Sequence, residues 1–308
     1  MNSTKTLDEI GMAYHTPNAK SGKYEGGDKL SDGQNFTSFY HKIMSLMRDD
    51  KIKLLEIGIF NGKSIAMWAD YFSNGTIYGI DQDLIKFEYN ISTLFEQGAF
   101  KSKKLTHIYA DRYDLHVTDF LPNNDVKIIK CNTLSENFEM MIKYLGDFNI
   151  IIDDGNHNAQ SQCRNFELLF EKITPGGMYI IEDIIQPTEF YSPEYFTLYF
   201  DKDADVNKLK YDHIAGIINK NKERCLKLNK TLETVDNLIE LNRESKPHQL
   251  PGLIKSRQEK IDEIKKLDLI NSDTLGQQFD EMIKIKRQLI PLIDKIEKRP
   301  NNIIFYRK

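Results

Sequence analysis

Up to about position 184, short apolar runs alternate with stretches whose apolar residues recur at helical intervals. Lys53-Leu54-Leu55-Glu56-Ile57-Gly58 reads as a buried strand entering a glycine turn, 64–72 as a helix, and 76–81 as the next strand. Strand, helix and strand at this spacing make a βαβ unit, with parallel strands and a right-handed crossover. The same reading predicts strands at 105–110, 126–130, 148–152 and 178–181, and helices at 36–47, 86–95, 136–145 and 161–172. Thr174-Pro175-Gly176-Gly177 predicts an abrupt turn. Residues 1–35, polar and containing Gly22, Gly26, Gly27 and Gly33, read as loop. From 205 to 299 the strand signal vanishes. Residues such as Leu228, Leu232, Val235 and Ile239 keep helical spacing there, and Pro247 and Pro251 divide the segment into two or three long helices. Asn302-Ile303-Ile304-Phe305-Tyr306 predicts a last strand returning to the sheet. The expected fold is α/β: a Rossmann-like, doubly wound, mainly parallel sheet with an N-terminal extension and a C-terminal helical elaboration. The expected divisions are an N-terminal segment and helix (1–48), the α/β core (49–204), a helical insertion or lid (205–299) and the returning strand (300–308).

Composition narrows the function classes. The 308 residues carry 42 basic and 46 acidic side chains, net −4, which argues against a dedicated binder of nucleic acid or anionic membrane. Cys131, Cys163 and Cys225 are odd in number and contain no C-x-x-C pair, so neither a zinc site nor a disulfide framework is expected. The N-terminus lacks an apolar leader-like run and no segment reaches membrane-spanning length, so the expected location is cytoplasmic.

Candidate chemistry gathers at the ends of two predicted strands. Asp153-Asp154-Gly155-Asn156-His157 follows one apolar run and Glu182-Asp183 follows another. In an open parallel sheet, residues just past the carboxyl ends of strands line the ligand crevice. Four carboxylates crowded there repel one another, and a divalent cation is the natural way to satisfy them. Asp-Asp-Gly also suits a plain helix-capping loop, but the second acidic pair and the neighbouring imidazole favour a metal-assisted site.

Glu56-Ile57-Gly58-Ile59-Phe60-Asn61-Gly62-Lys63-Ser64 puts two glycines between a strand and a helix, where backbone can approach a ligand closely and helix N–H groups are unpaired. It is neither G-x-G-x-x-G nor a P-loop. Asp81 ends the next strand, where a carboxylate can accept hydrogen bonds from ribose hydroxyls. Over about 50–185 this arrangement resembles class I S-adenosylmethionine-dependent methyltransferases. The resemblance implies cofactor contacts from Glu56, Gly58, Gly62, Ser64 and Asp81.

Asp153 to His157, then a helix, then Pro175-Gly176-Gly177 and Glu182-Asp183, resembles more narrowly the metal-dependent macrocin- and mycinamicin-type sugar O-methyltransferases and their cephalosporin hydroxylase-like relatives. Gly27-Asp28-Lys29 and Phe36-Thr37-Ser38-Phe39-Tyr40 resemble that family's N-terminal segment. The resemblance implies Asp154, Glu182 and Asp183 as magnesium ligands and His157 as catalytic base; Asp153 is grouped with the cofactor side rather than with the ligands. Asn156 stands where the family has serine, and Lys130-Cys131-Asn132 where it commonly has Gly-Asp-Gln. Asn132 is the expected adenosine contact, with Asp111 as competitor.

The expected activity is transfer of a methyl group from S-adenosylmethionine to a sugar hydroxyl of a glycan or glycosylated metabolite, with Mg²⁺ and with Mn²⁺ as a substitute. A homo-oligomer is compatible with the helical region. Two rivals remain: an iron-dependent hydroxylase-like enzyme, disfavoured because the facial triad needs two histidines, and a non-catalytic nucleoside-binding assembly module. Tyr191, Tyr195, Phe196, Tyr199 and Phe200 suit either an acceptor wall or core packing.

Overall fold

The structure, a computed structural model, describes residues 5–15, 29–109, 117–120, 123–184, 197–268, 272–299 and 301–308. Gly27, Asp28, Asp111, Tyr191, Tyr195 and Phe196 lie outside them. Among the described residues the strands are β1 (Lys53–Ile57), β2 (Thr76–Asp81), β3 (Leu105–Tyr109), β4 (Val126–Lys130), β5 (Phe148–Asp153), β6 (Ile173–Glu182), β7 (Ile293–Arg299) and β8 (Asn302–Arg307). They form one sheet in the order β3-β4-β2-β1-β5-β6-β8-β7. Pairing is parallel from β3 to β6, whereas β8 runs antiparallel to both β6 and β7. The chain builds outward from β1 through β2, then crosses to the other side at β5. That reversal opens the crevice between the tips of β1 and β5, where such sheets bind ligands.

The sheet is covered by helices α1 (Leu7–Met12), α2 (Phe36–Met44), α3 (Lys63–Tyr71), α4 (Ile85–Glu96), α5 (Glu136–Leu145) and α6 (Ala159–Leu169). Strand residues Leu54, Ile77, Ile128, Ile152 and Ile180 share one buried cluster with Tyr40, Trp68 and Phe72. Each fully buried large side chain of this kind contributes about 1.5 to 3 kcal/mol. The expectation of loop over 1–35 is corrected by α1. Thr6 accepts from the Glu9 N–H while the Glu9 side chain accepts from the Thr6 N–H, so a capping box starts that short helix.

Two further expectations change. Thr174 to Gly177 does not turn but runs inside β6, beside a register irregularity against β5 between Phe148 and Ile150. Proline and glycine are tolerated in strands at such irregularities. The helical reading of 205–299 fails at its end, where 293–299 forms β7, hairpinned onto β8.

The chain divides into two compact units, Met1–Gln186 with Pro291–Lys308, and Pro187–Ile290. The second contains α7 (Val206–Ser245), α8 (Leu250–Asp268) and α9 (Ser272–Leu289). Pro247 stands in the break between α7 and α8, and Pro251 sits in the first turn of α8, where its missing N–H is no loss. Arg224–Glu263 and Arg257–Asp236 ion pairs bridge α7 and α8. Tyr199 is buried and packs with His213 and Phe279, so this part of the aromatic stretch is core of the helical unit. No disulfide joins the three cysteines. Among the described residues no helix is long and apolar enough to cross a membrane.

Candidate active site

A cavity of about 570 Å³ opens at the β1–β5 crevice, a size suited to a nucleoside-type ligand. Gly58, Phe60, Asp81, Asp154, His157 and Asp183 are among its lining residues. Gly58 (φ +82°) lets the β1 and β5 turns touch: a Cβ there would lie 2.1 Å from the Asp154 carbonyl oxygen. The Asp154 N–H donates to the Ile57 carbonyl at 2.9 Å and the Gly58 N–H to Ile80 at 2.8 Å, so the three strand tips form one continuous floor. Asp81 fixes the glycine turn from the β2 side, accepting from the Ile59 and Phe60 N–H groups at 3.0 and 3.2 Å.

Phe60, His157 and Asp183 all hold left-handed backbone (φ 47°, 53° and 51°). Such conformations are costly for side-chain-bearing residues and cluster at functional sites. Here all three line the same cavity.

The acidic groups divide by what faces them. Asp154 Oδ1 and Asp183 Oδ2 lie 4.0 and 3.7 Å from His157 Nδ1. Ligand atoms from Asp154, His157 and Asp183 fall within 4.8 Å of one another. His157 Nδ1 is a buried atom with no hydrogen-bond partner among the described residues, although its side chain is 38 % exposed. Glu182 turns another way. Its Oε1 accepts from the Tyr40 hydroxyl at 2.8 Å and its Oε2 from the Lys29 ammonium.

Lys29 is the feature that sequence reasoning missed, having been read only as part of a family-like segment. Its Nζ donates to Asp154 Oδ2 at 2.6 Å and lies 3.4 Å from Glu56 Oε1. Asp8 positions it by accepting from the Ser31 N–H at 2.8 Å and from the Thr37 hydroxyl at 2.6 Å, while the Lys29 carbonyl accepts from the Thr37 N–H at 3.0 Å. Burial opposes the charge on Lys29, but Asp154, Glu182 and Glu56 outweigh it and hold the amine well above its ordinary range. Crowded carboxylates need a counter-cation, and that demand was the available signal.

One ammonium does not balance Glu56, Asp154, Glu182 and Asp183. Hard oxygen donors with an adjoining imidazole fit a divalent ion such as Mg²⁺ or Mn²⁺.

Several other expected residues serve the cavity from behind. Glu56 is fully buried, accepts from the Ser64 hydroxyl at 2.7 Å and is not among the lining residues; Ser64 is. Gly62 (φ +81°) precedes α3, and a Cβ there would strike Phe87 rather than enter the cavity. Asn132 lies just past β4, next to Cys131, whose backbone N–H donates to the Asp81 carbonyl at 2.8 Å; the Asn132 side chain accepts from the Leu134 N–H and caps its own turn. The Asp-Asp-Gly segment does not cap α6. That role falls to Asn158, which accepts from the Ser161 N–H.

Asp153 is fully buried and accepts from Asn165 at 3.0 Å, Tyr179 at 3.3 Å and the Gly155 N–H at 3.3 Å, which shapes the turn carrying Asp154 and His157. Burial pushes it up to about 7 from 3.8, against those bonds. The folded chain then keeps a proton that the unfolded chain has lost between those values. Unfolding free energy is therefore expected to fall as pH rises from about 4 to about 7, by at most about 1.4 kcal/mol per unit, and to level off above. Asp153→Asn removes this component of the slope; identical slopes for both proteins in denaturant titrations across that window would refute the assignment.

Comparison with known proteins fits this architecture. Residues 55–184 match the model of a methyltransferase domain family. Demethylmacrocin O-methyltransferase of Streptomyces fradiae is 29% identical over 185 residues, covering 58% of this chain and 36% of that protein. Mycinamicin VI 2''-O-methyltransferase of Micromonospora griseorubida is 26% identical over 185 residues, with the same coverage. The chain thus spans about a third of the length of these curated relatives. The solved MycE methyltransferase from the mycinamycin biosynthetic pathway, in complex with Mg, SAH and mycinamycin VI, aligns over 98% of this chain and 54% of its own, at 18% identity and a TM-score of 0.46. The sheet order and the matched residues show a methyltransferase-type α/β domain over residues 55–184. Over the aligned residues, the chain is similar to the macrocin and mycinamicin sugar O-methyltransferases.

Proposed function

We propose that this protein is an S-adenosylmethionine- and Mg²⁺-dependent O-methyltransferase acting on a sugar hydroxyl of a glycosylated small molecule. The observation that carries this reading is the convergence of Asp154, His157 and Asp183 within 4.8 Å on the wall of the cavity that Gly58 and Asp81 also line. Asp81, already oriented by two backbone N–H groups, accepts from the ribose hydroxyls, and the Gly58 turn gives the backbone close approach to the cofactor. When bound, S-adenosylmethionine supplies the methyl group and a divalent ion polarises and aligns the acceptor hydroxyl. Asp154, Asp183 and Glu182 would hold that ion. His157 takes the hydroxyl proton as the oxygen attacks.

The test is methyl transfer from labelled S-adenosylmethionine to a panel of glycosylated acceptors, with and without EDTA. Transfer that disappears with EDTA and returns with Mg²⁺ is expected. Transfer indifferent to chelation would overturn the metal-dependent reading.

A further inference from the structure

We infer that Lys29 sets the affinity of the proposed metal site, because its ammonium and a divalent ion compete for Asp154 and Glu182. The inference rests on the metal reading above and goes beyond it. The Lys29 Nζ meets oxygens from the tips of three neighbouring strands: Glu56 on β1, Asp154 just past β5 and Glu182 on β6. It is a tethered cation seated among the carboxylates. Glu182 has two oxygens, one accepting from Tyr40 and the other from Lys29. An ion that recruits Glu182 comes in beside both donors, and its charge bears on the cationic one. Tyr40 is neutral and fully buried among Phe36, Phe39 and Trp68, which leaves it no room to withdraw.

Lys29 is the donor that yields. A second cation within a few ångströms repels it in a poorly screened setting, and Asp154 is shared between Lys29 on Oδ2 and the His157 cluster on Oδ1. Its backbone is anchored through Thr37, so the exchange is a swing of the long side chain rather than release of the segment. Lys29 thereby offsets part of the carboxylate charge until the ion arrives, and sets the free-ion concentration at which it does.

The experiment measures Mn²⁺ binding to the full chain by electron paramagnetic resonance, wild type against Lys29→Met. The variant is expected to bind Mn²⁺ about tenfold or more tightly. A second measurement uses only the wild type: reductive methylation of Lys29, read by mass spectrometry, rises on saturation with Mn²⁺. Equal or weaker Mn²⁺ binding by a folded Lys29→Met overturns the inference. Should that variant fail to fold, unchanged methylation of wild-type Lys29 overturns it instead. Binding of no Mn²⁺ to either protein overturns the metal reading and, with it, this one; binding at equal Kd overturns only the competition.

Discussion

His157→Ala is expected to lower kcat for methyl transfer by about 10²- to 10⁴-fold, the range that a positioned general base supplies. His157 Nδ1 has the Asp154 and Asp183 carboxylates within 4.0 and 3.7 Å, and no other side chain is assigned to take the proton in the proposed reaction. The loss should fall on the chemical step. Single-turnover rates with labelled cofactor would show it, while calorimetric affinity for S-adenosylhomocysteine stays within a few-fold of wild type. A variant that turns over at the wild-type rate removes His157 from the proton transfer. One that also loses Mn²⁺ binding would make His157 a metal ligand, a role that the convergence of its ring with the two carboxylates also permits.

Glu182→Ala is expected to cost about 3 kcal/mol of unfolding free energy, the low end of what breaking a buried ion pair costs. The residue is 1 % exposed, and its loss strips an acceptor from both Lys29 and Tyr40. Lys29 keeps Asp154 and Glu56, which is why the cost stays at that end. Glu182→Gln keeps an acceptor for Tyr40 and should recover part of it. Urea denaturation of the three proteins at one pH measures both effects; a loss below about 1 kcal/mol for the alanine variant would mean that the pair is solvated or dispensable.

The parts of the fold that were legible in the sequence were those whose patterning has a single cause. β1, β2, β4 and β5 are interior strands, and their apolar runs have no other use in an α/β chain. α5 announces itself through Ser135, which accepts from the Phe138 N–H, ahead of buried Phe138, Met141 and Ile142. β7 was hidden for the opposite reason. It is an edge strand, and Asp294, Lys295, Glu297 and Lys298 are the kind of charge that guards an unpaired edge, so its composition imitates a solvated helix. α1 was too short for periodicity to detect, and only its capping box marked it.

At the site, the acidic pairs and His157 could be read because they follow strand-forming runs directly. Lys29 could not, since it lies 125 and 153 positions from Asp154 and Glu182, and no periodicity joins them. The division of labour among the carboxylates was also beyond the sequence. Which oxygen of Glu182 faces Tyr40, and that Glu56 lies behind the cavity wall, depend on how α2 and α3 pack rather than on any local pattern.

The left-handed residues Phe60, His157 and Asp183 bear on how such a protein evolves. Glycine at any of the three would relax the main chain, and selection for thermal resistance alone would favour it. At positions 157 and 183 the same exchange would delete the imidazole or a carboxylate on which the proposed reaction depends. Lineages drifting towards hardier folds should therefore stall at these positions, or pass them only after catalysis has been abandoned.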